Sequence, residues 1–491
     1  MGFNVRFHFL LKLFLVSLLV IFNIKVAEAS TWLKIYKGDI SVYDKRRICL
    51  SVDVSQDNSL IIGGQRVNNK LDYWVFKLDD NGNVSWNKLF DYVPFSLPSY
   101  EKQSDFIYGI TRSNDGGYII AGYTSFYGLE DGWILKLNQN GNILWHKTYD
   151  EGYSNDRIYS IQNTLDGGFI LAGELQSFST INWSYDIWVT KLDNEGRVLW
   201  SKAYGGPDLD RARAIHVTTD GGYIVVGENR YVSSNNVINN DFDIAVLRLD
   251  SNGNILWQKA YGGPKDDFAF SVIQTTDGGF IIVGETESFG KGGTDVLIMK
   301  LDAQGNIVWE KTYGGSGNDW ARAIIKTFDG NYVVAGYYND TSIWIIKIDD
   351  QGHILWNKNY LGGLGYAVKE APDGSIIVAG YGSGGIIVLK LDAQGDIPNC
   401  SSLSATDATE MLPNIVINNT NLKTKTIGIN VKTEMAREIS VDSEVEEACY
   451  YPSPPPCVAP FTDVPCNHWA YQAIKWAKEN SITTGYEDGT Y

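Results

Sequence analysis

The residues best suited to hold another molecule are aromatic side chains set among Ser and Asn in what read as connecting segments. They are Phe126 and Tyr127, Trp183 and Tyr185, and Tyr231, with Tyr92, Phe95 and Tyr100 in a further long connection. Rings supply stacking faces and their small polar neighbours supply adaptable hydrogen bonds, a combination that suits a sugar ring or a peptide backbone. Carboxylates form a second series, Asp105, Asp156, Asp210, Asp267 and Asp319, each just before the first strand of a similar segment. Gathered at the mouth of one channel they would suit a hard cation; placed singly, each suits backbone N–H groups and would lock adjoining segments. Nucleophilic and metal chemistry find no such support. The five histidines (His8, His146, His216, His353 and His468) are scattered, the five cysteines include no vicinal pair, and the spacing assigns no Ser-His-Asp or paired-carboxylate set. The sequence therefore predicts a non-catalytic binding protein with no cofactor and no metal.

The elements that must position these groups repeat. Between Phe268 and Tyr313 the chain shows four strand-length apolar runs, separated by Asp277-Gly278-Gly279, a longer loop, and Asp302-Ala303-Gln304-Gly305-Asn306. No helical period interrupts them, so one unit is a four-stranded antiparallel meander. The first turn recurs at Asp57, Asp115, Asp166, Asp220, Asp277, Asp329 and Asp373. The closing Trp-x-Lys-x-aromatic motif recurs at Trp86, Trp145, Trp200, Trp257, Trp309 and Trp356, but is missing after the seventh turn. Its missing copy stands near the start, as Trp32-Leu33-Lys34-Ile35-Tyr36. The fold predicted is an all-β, seven-bladed propeller over 30–399, sealed by an N-terminal strand that completes the last sheet and so removes open sheet edges.

The two hairpin turns of each unit hardly vary, whereas the second-to-third connections at Glu174 to Tyr185, Glu228 to Phe242 and Glu285 to Thr294 are long. A meander sends the variable connections to one side of the disc, which marks that side as the predicted binding face. Within a unit the middle strands are apolar on both sides, as in Tyr118-Ile119-Ile120-Ala121-Gly122, so the core must lie between blades. In the outer strand Trp145, Lys147 and Tyr149 share one face and read as structural.

Residues 1–29 have the order of a secretory signal: Arg6 and Lys12, an apolar run from Leu13 to Ile24, then Ala27-Glu28-Ala29. An exported, cell-surface protein that is not integral to the membrane is expected. The net charge of −17 argues against nucleic acid as a partner, because phosphate needs a basic patch.

The repeat Leu192-Asp193-Asn194-Glu195-Gly196-Arg197-Val198-Leu199-Trp200 resembles the tryptophan-docking repeat of quinoprotein-like propellers, a likeness confined to the third-to-fourth hairpin. That family includes quinone-dependent dehydrogenases and non-catalytic scaffolds, so the resemblance leaves a quinoprotein-like or glycan-acting propeller enzyme as the alternative function, and a purely structural envelope scaffold as a third.

Residues 400–460 read as a Ser/Thr/Pro-rich linker with room for a small hairpin around Ile415-Val416-Ile417 and Ile427-Gly428-Ile429. In an exported protein Cys400 with Cys449 and Cys457 with Cys466 are possible disulfides, which leaves Cys49 in a blade. From Phe461 onward, His468-Trp469-Ala470-Tyr471, a helix stripe through Ile474 and Ala477, and Gly485-Tyr486-Glu487-Asp488-Gly489 resemble the beginning of an S-layer homology (SLH) module. The resemblance implies cell-wall polysaccharide as the partner, with Trp469, Gly485, Asp488 and Gly489 in the module. The sequence stops before the helix in which that family carries a Thr-Arg-Ala-Glu motif, so 461–491 reads as a partial copy. The propeller face is expected to hold a glycan or protein ligand, with Trp183, Tyr185, Tyr231, Phe126 and Tyr127 as candidate contacts.

Overall fold

A computed structural model describes residues 31–37 and 50–397, apart from 68–70, 94–103, 127, 153, 179–182, 207, 233–237 and 383–384, and the strands within 409–451. The expected signal at 1–29 and the expected module at 461–491 lie outside the described residues. Seven antiparallel sheets make seven blades: 51–93, 104–150, 156–205, 210–262, 267–314, 320–361, and 363–391 completed by Thr31–Lys37. The last pairing sets Trp32 opposite Lys390 and Tyr36 opposite Ile386, so the N-terminal strand is the outer strand of blade 7 as the repeat arithmetic requires.

The core follows from the apolar middle strands. Buried side chains fall into seven clusters, each shared by two neighbouring blades. Between blades 5 and 6, for example, Ile281, Val283 and Ile298 meet Ala321, Val334 and Trp344. A sheet apolar on both faces must be covered on both, and a closed ring covers every face.

Each blade is also latched to the next at its outer hairpin. The closing Trp lies over the glycine of the following blade's hairpin, whose positive φ is open to glycine without strain. A Cβ at Gly253 would meet the Trp200 ring at 2.8 Å, and one at Gly82 would meet Trp32 at 2.8 Å. The same carbonyls accept the tyrosine two positions further along the face: Tyr204 Oη donates to Gly253 O at 2.6 Å, and Tyr36 Oη to Gly82 O at 2.6 Å. Trp32 Nε1 donates to Asp80 O at 3.1 Å. The seam between blades 7 and 1 is therefore built like the other joints.

The tail departs from the expected linker. Ring closure leaves the outer edge of every blade unpaired, and 409–451 supplies a fifth strand to six of them. Thr409 lies opposite Gly314, Val416 opposite Gly262, Lys423 opposite Gly205, Asn430 opposite Asp150 and Arg437 opposite Asp91. These positions step by seven residues while the tail visits blades 5, 4, 3, 2 and 1 in turn, and Val445–Tyr451 then joins Thr31–Lys37 of blade 7. Strands Val416–Asn418, Lys423–Thr426 and Asn430–Lys432 pair with blades rather than with one another, because an exposed edge of free N–H and C=O groups is a stronger template than a three-residue hairpin, while Ile415 and Ile427-Gly428-Ile429 of the expected hairpin lie outside the described residues. Among the described residues blade 6 has four strands.

Trypsin should spare the bonds after Lys425 and Arg437, which lie inside paired strands, at protease levels that cut them in urea. Cleavage there at the rate of the unfolded chain would show that the tail does not lie on the disc.

Candidate functional site

The inner strands build the site through one repeated irregularity. In blade 2, Ile107 faces Gly122 and Gly109 faces Ala121, which leaves Tyr108 between them as a bulge. The same slip frees Tyr159, Arg213, Phe270, Arg322 and Tyr366 in blades 3 to 7. Its cause is the facing glycine: a Cβ at Gly227 would lie 1.9 Å from Arg211 O, and one at Gly284 would lie 1.8 Å from Phe268 O. The strand can bend in so far only where the partner has no side chain, and the bend turns one residue per blade towards the axis. Leu50, just before the inner strand of blade 1, takes the seventh place. All seven border one cavity of about 460 Å³.

The cavity has two unlike walls. In blades 3 and 4 the residues after the glycines are paired carboxylates, and in blade 2 a tyrosine, Tyr123. Buried Glu174 accepts from Arg157 and from Tyr159 Oη at 2.9 Å, and forms an ion pair with Arg211, whose Nε lies 2.7 Å from Oε2. Against the cost of burial, Arg211, Arg157 and Arg213 hold its carboxyl below the usual range. Glu228 takes Arg213 through both oxygens, at 2.9 and 2.6 Å. Across blades 4 to 7 the wall is mainly aromatic, with the buried Glu285 carboxylate beside Arg322 among the rings. Phe242 and Phe268 lie 5.6 Å apart, Phe268 and Phe270 6.5 Å, and Tyr337 and Tyr366 6.2 Å. The Arg322 guanidinium lies in that row, 3.9 Å from the Phe270 ring and 4.6 Å from Trp320, and donates to Tyr337 Oη at 3.0 Å. Asp266, Glu287 and Thr294 stand at the rim, on the side of the variable connections. Towards the invariant hairpins a second cavity of about 410 Å³ shares Tyr108 and Tyr159 and is lined by Ser51, Thr111, Ser160, Gln162, Asn163 and Lys369.

Of the contacts expected from sequence, Tyr185 is half-buried behind this site, with the Arg211 guanidinium 5.3 Å and that of Arg157 5.9 Å from its ring. Phe126, Trp183 and Tyr231 belong to strands Tyr118–Phe126, Trp183–Leu192 and Tyr223–Val232, so two of the long connections are extended hairpin arms with short tips. The side chains of these three, all of Tyr127, and Trp469, Gly485, Asp488 and Gly489 lie outside the described residues. Sequence reasoning missed the bulge residues. Their signal was present: the third residue after each junction aspartate is Tyr108, Tyr159, Arg213, Phe270 or Arg322, and the glycine opposite precedes Tyr123, Glu174, Glu228, Glu285 or Tyr337.

Comparison with known proteins bears on both ends of the chain. Residues 460–491 match the S-layer homology domain. An SLH domain indicates a cell-surface, envelope-associated protein, and such domains generally bind cell-wall polysaccharide. No curated protein matches the chain significantly. Solved structures similar to it include the WD40 propeller domain of Doa1, at 12% identity and TM-score 0.41, covering 72% of this chain and 96% of that one. The Dos1 propeller is 12% identical with TM-score 0.45, covering 73% and 95%. The Pseudomonas aeruginosa periplasmic gluconolactonase PpgL is 11% identical with TM-score 0.42, covering 81% and 100%. Among the described residues no helix is long and apolar enough to cross a membrane.

The junction aspartates sit at the blade joints and not around the channel mouth. Each accepts backbone N–H groups: Asp105 from Tyr92 at 3.1 Å, Asp156 from Glu151 at 2.8 Å, Asp210 from Gly206 at 2.8 Å, Asp267 from Gly263 at 2.7 Å and Asp319 from Gly315 at 2.7 Å. Burial outweighs these bonds. With Asp131 nearby, it pushes Asp156 up to about 7; with Asp186 and Asp208 nearby, it pushes Asp210 up to about 8. Burial first, then Asp91 and Asp72, pushes Asp105 well above the usual range, and these three carboxylates lie within 4.8 Å of one another. Turn aspartates behave oppositely, since the Thr218 and Thr275 hydroxyls hold Asp220 and Asp277 at about 2.

Asp156 and Asp210, raised above the unfolded value of about 4, favour the fold below that pH and lose the contribution as pH rises through about 7 and about 8. Asp220 and Asp277 contribute above about pH 4 and lose it as pH falls towards about 2. Urea unfolding should show greatest stability between about pH 4 and 7. Asp210→Asn should flatten the alkaline limb, and an unchanged limb would contradict the assignment.

Proposed function

We propose that the propeller is a non-catalytic recognition module, exported by its N-terminal signal and held at the envelope through residues 460–491, that takes a glycan into the variable-face end of its central channel. The observation that carries this reading is the pairing of two unlike walls around one cavity. A pyranose ring presents C–H groups on its faces and hydroxyls at its edge. Phe268, Phe270, Trp320 and Tyr366 offer surfaces for the first, while Arg211, Arg213, Glu228 and Tyr159 offer donors and acceptors for the second. Arg211 and Arg213 are already matched to Glu174 and Glu228, which favours a hydroxyl-rich ligand over a strongly charged one on that wall. Their mutual pairing also leaves Glu174 and Glu228 held as ion-pair partners rather than poised to move a proton, which supports a binding role over the enzyme alternative.

Purified cell-wall glycan fractions should bind the full chain, with part of the affinity due to the channel. Losing one stacking ring costs roughly 1 kcal/mol. Phe270→Ala and Trp320→Ala should therefore each weaken channel binding about fivefold in calorimetry, with the fold unchanged by circular dichroism. Unaltered affinity in both variants would exclude the channel as the site.

A further inference from the structure

We propose that the channel recognises the ends of glycan chains rather than their interiors. The inference rests on the glycan reading above and adds a mode of engagement to it. Each blade contributes one residue, Leu50 from blade 1 and the six bulge residues Tyr108, Tyr159, Arg213, Phe270, Arg322 and Tyr366 from blades 2 to 7, so the cavity is walled on every side around the propeller axis. A groove would let a polymer lie across it and contribute any of its units. A ring of walls admits only what arrives along the axis. The cavity of about 460 Å³ is within the roughly 300–1,000 Å³ that enclose a small molecule, room for a few sugar units and not for a chain doubled back on itself.

What lies deeper fits a terminus as well. Tyr108 and Tyr159 stand at the waist between the two cavities, the Tyr108 ring edge-on to Tyr159 at 4.7 Å, and Tyr159 Oη is tied to Glu174. Beyond the waist the Ser51 and Ser160 hydroxyls and the Gln162 amide oxygen accept from backbone N–H groups of the next blade, which leaves their O–H and NH₂ donors for the hydroxyls of a leading sugar. The stacking wall is nearer the variable face and the hydrogen-bonding chamber is further in. A chain entering end-on would thus meet rings along its length and polar groups at its tip.

The test holds polysaccharide mass constant while changing the number of ends. A purified, soluble cell-wall polysaccharide is cut to different extents by partial acid hydrolysis, and binding of the full chain is measured by calorimetry against that of the Phe270→Ala/Trp320→Ala double variant. The difference isolates the channel from any binding through residues 460–491. Doubling the ends at constant mass should double the protein bound through the channel, and two- to three-unit fragments should compete fully with the intact polymer. Channel binding that follows mass and ignores the number of ends would overturn the inference while leaving the glycan reading standing. If wild type and the double variant bind every preparation equally, the glycan reading fails and this inference fails with it.

Discussion

The structure depends on an aromatic ring placed over a glycine of the next blade. A closing tryptophan can lie against the neighbouring hairpin only because the fourth residue of the hairpin turn has no Cβ and adopts a left-handed conformation, as at Gly82, Gly196, Gly253, Gly305 and Gly352. The same contact leaves the glycine carbonyl for a tyrosine hydroxyl, 2.5 Å away in the case of Tyr313 and Gly352 and 2.7 Å for Tyr360 and Gly395. Blade 1 carries Phe90 where the others carry that tyrosine, and keeps the Trp86 ring over Gly141. Repeated around the circle, one latch sets one angle between sheets, and a constant angle is what lets seven sheets close.

Closure creates an axis, and the inner strands exploit it. In blades 2 to 6 the inner strand carries near its start an aspartate that fastens the blade joint and, three residues later, bulges inward against a glycine. Fastening and lining are thus two consequences of one short motif. Where the bulge residue is arginine or tyrosine in blades 2 to 4, the partner after the glycine is glutamate or tyrosine; where it is phenylalanine or is stacked on rings, the wall is aromatic. The difference between the two halves of the channel comes from these few positions, while the scaffold around them stays the same.

Much of this was legible in the chain. Turn aspartates, closing tryptophans and the orphan Trp32–Tyr36 motif gave the number of blades and the shared last sheet, because strand periodicity and hairpin chemistry are local. The side of the disc that bears the longer connections was legible for the same reason. The bulge residues were not, since Arg213 and Phe270 look like ordinary alternating strand positions until the register slip opposite Gly227 and Gly284 is seen. The tail was misjudged for a related reason. Three-residue strands such as Val416–Asn418 and Asn430–Lys432 carry too little pattern to announce themselves, and their partners are outer blade edges more than a hundred residues away. A seven-residue step becomes visible only once Gly262 and Asp150 are known to stand at equivalent places on neighbouring blades.

The ring closes at the seam, where Thr31–Lys37 completes blade 7 and Trp32 latches onto blade 1. Native-state hydrogen exchange, resolved by residue, tests it most directly. The amides of the closing strand and of Gly385–Leu391 should open with the same free energy as the middle strands of blades 3 and 4, as parts of one cooperative ring. Exchange of Thr31–Lys37 at the rate of an unstructured peptide, with the rest of the disc protected, would contradict it.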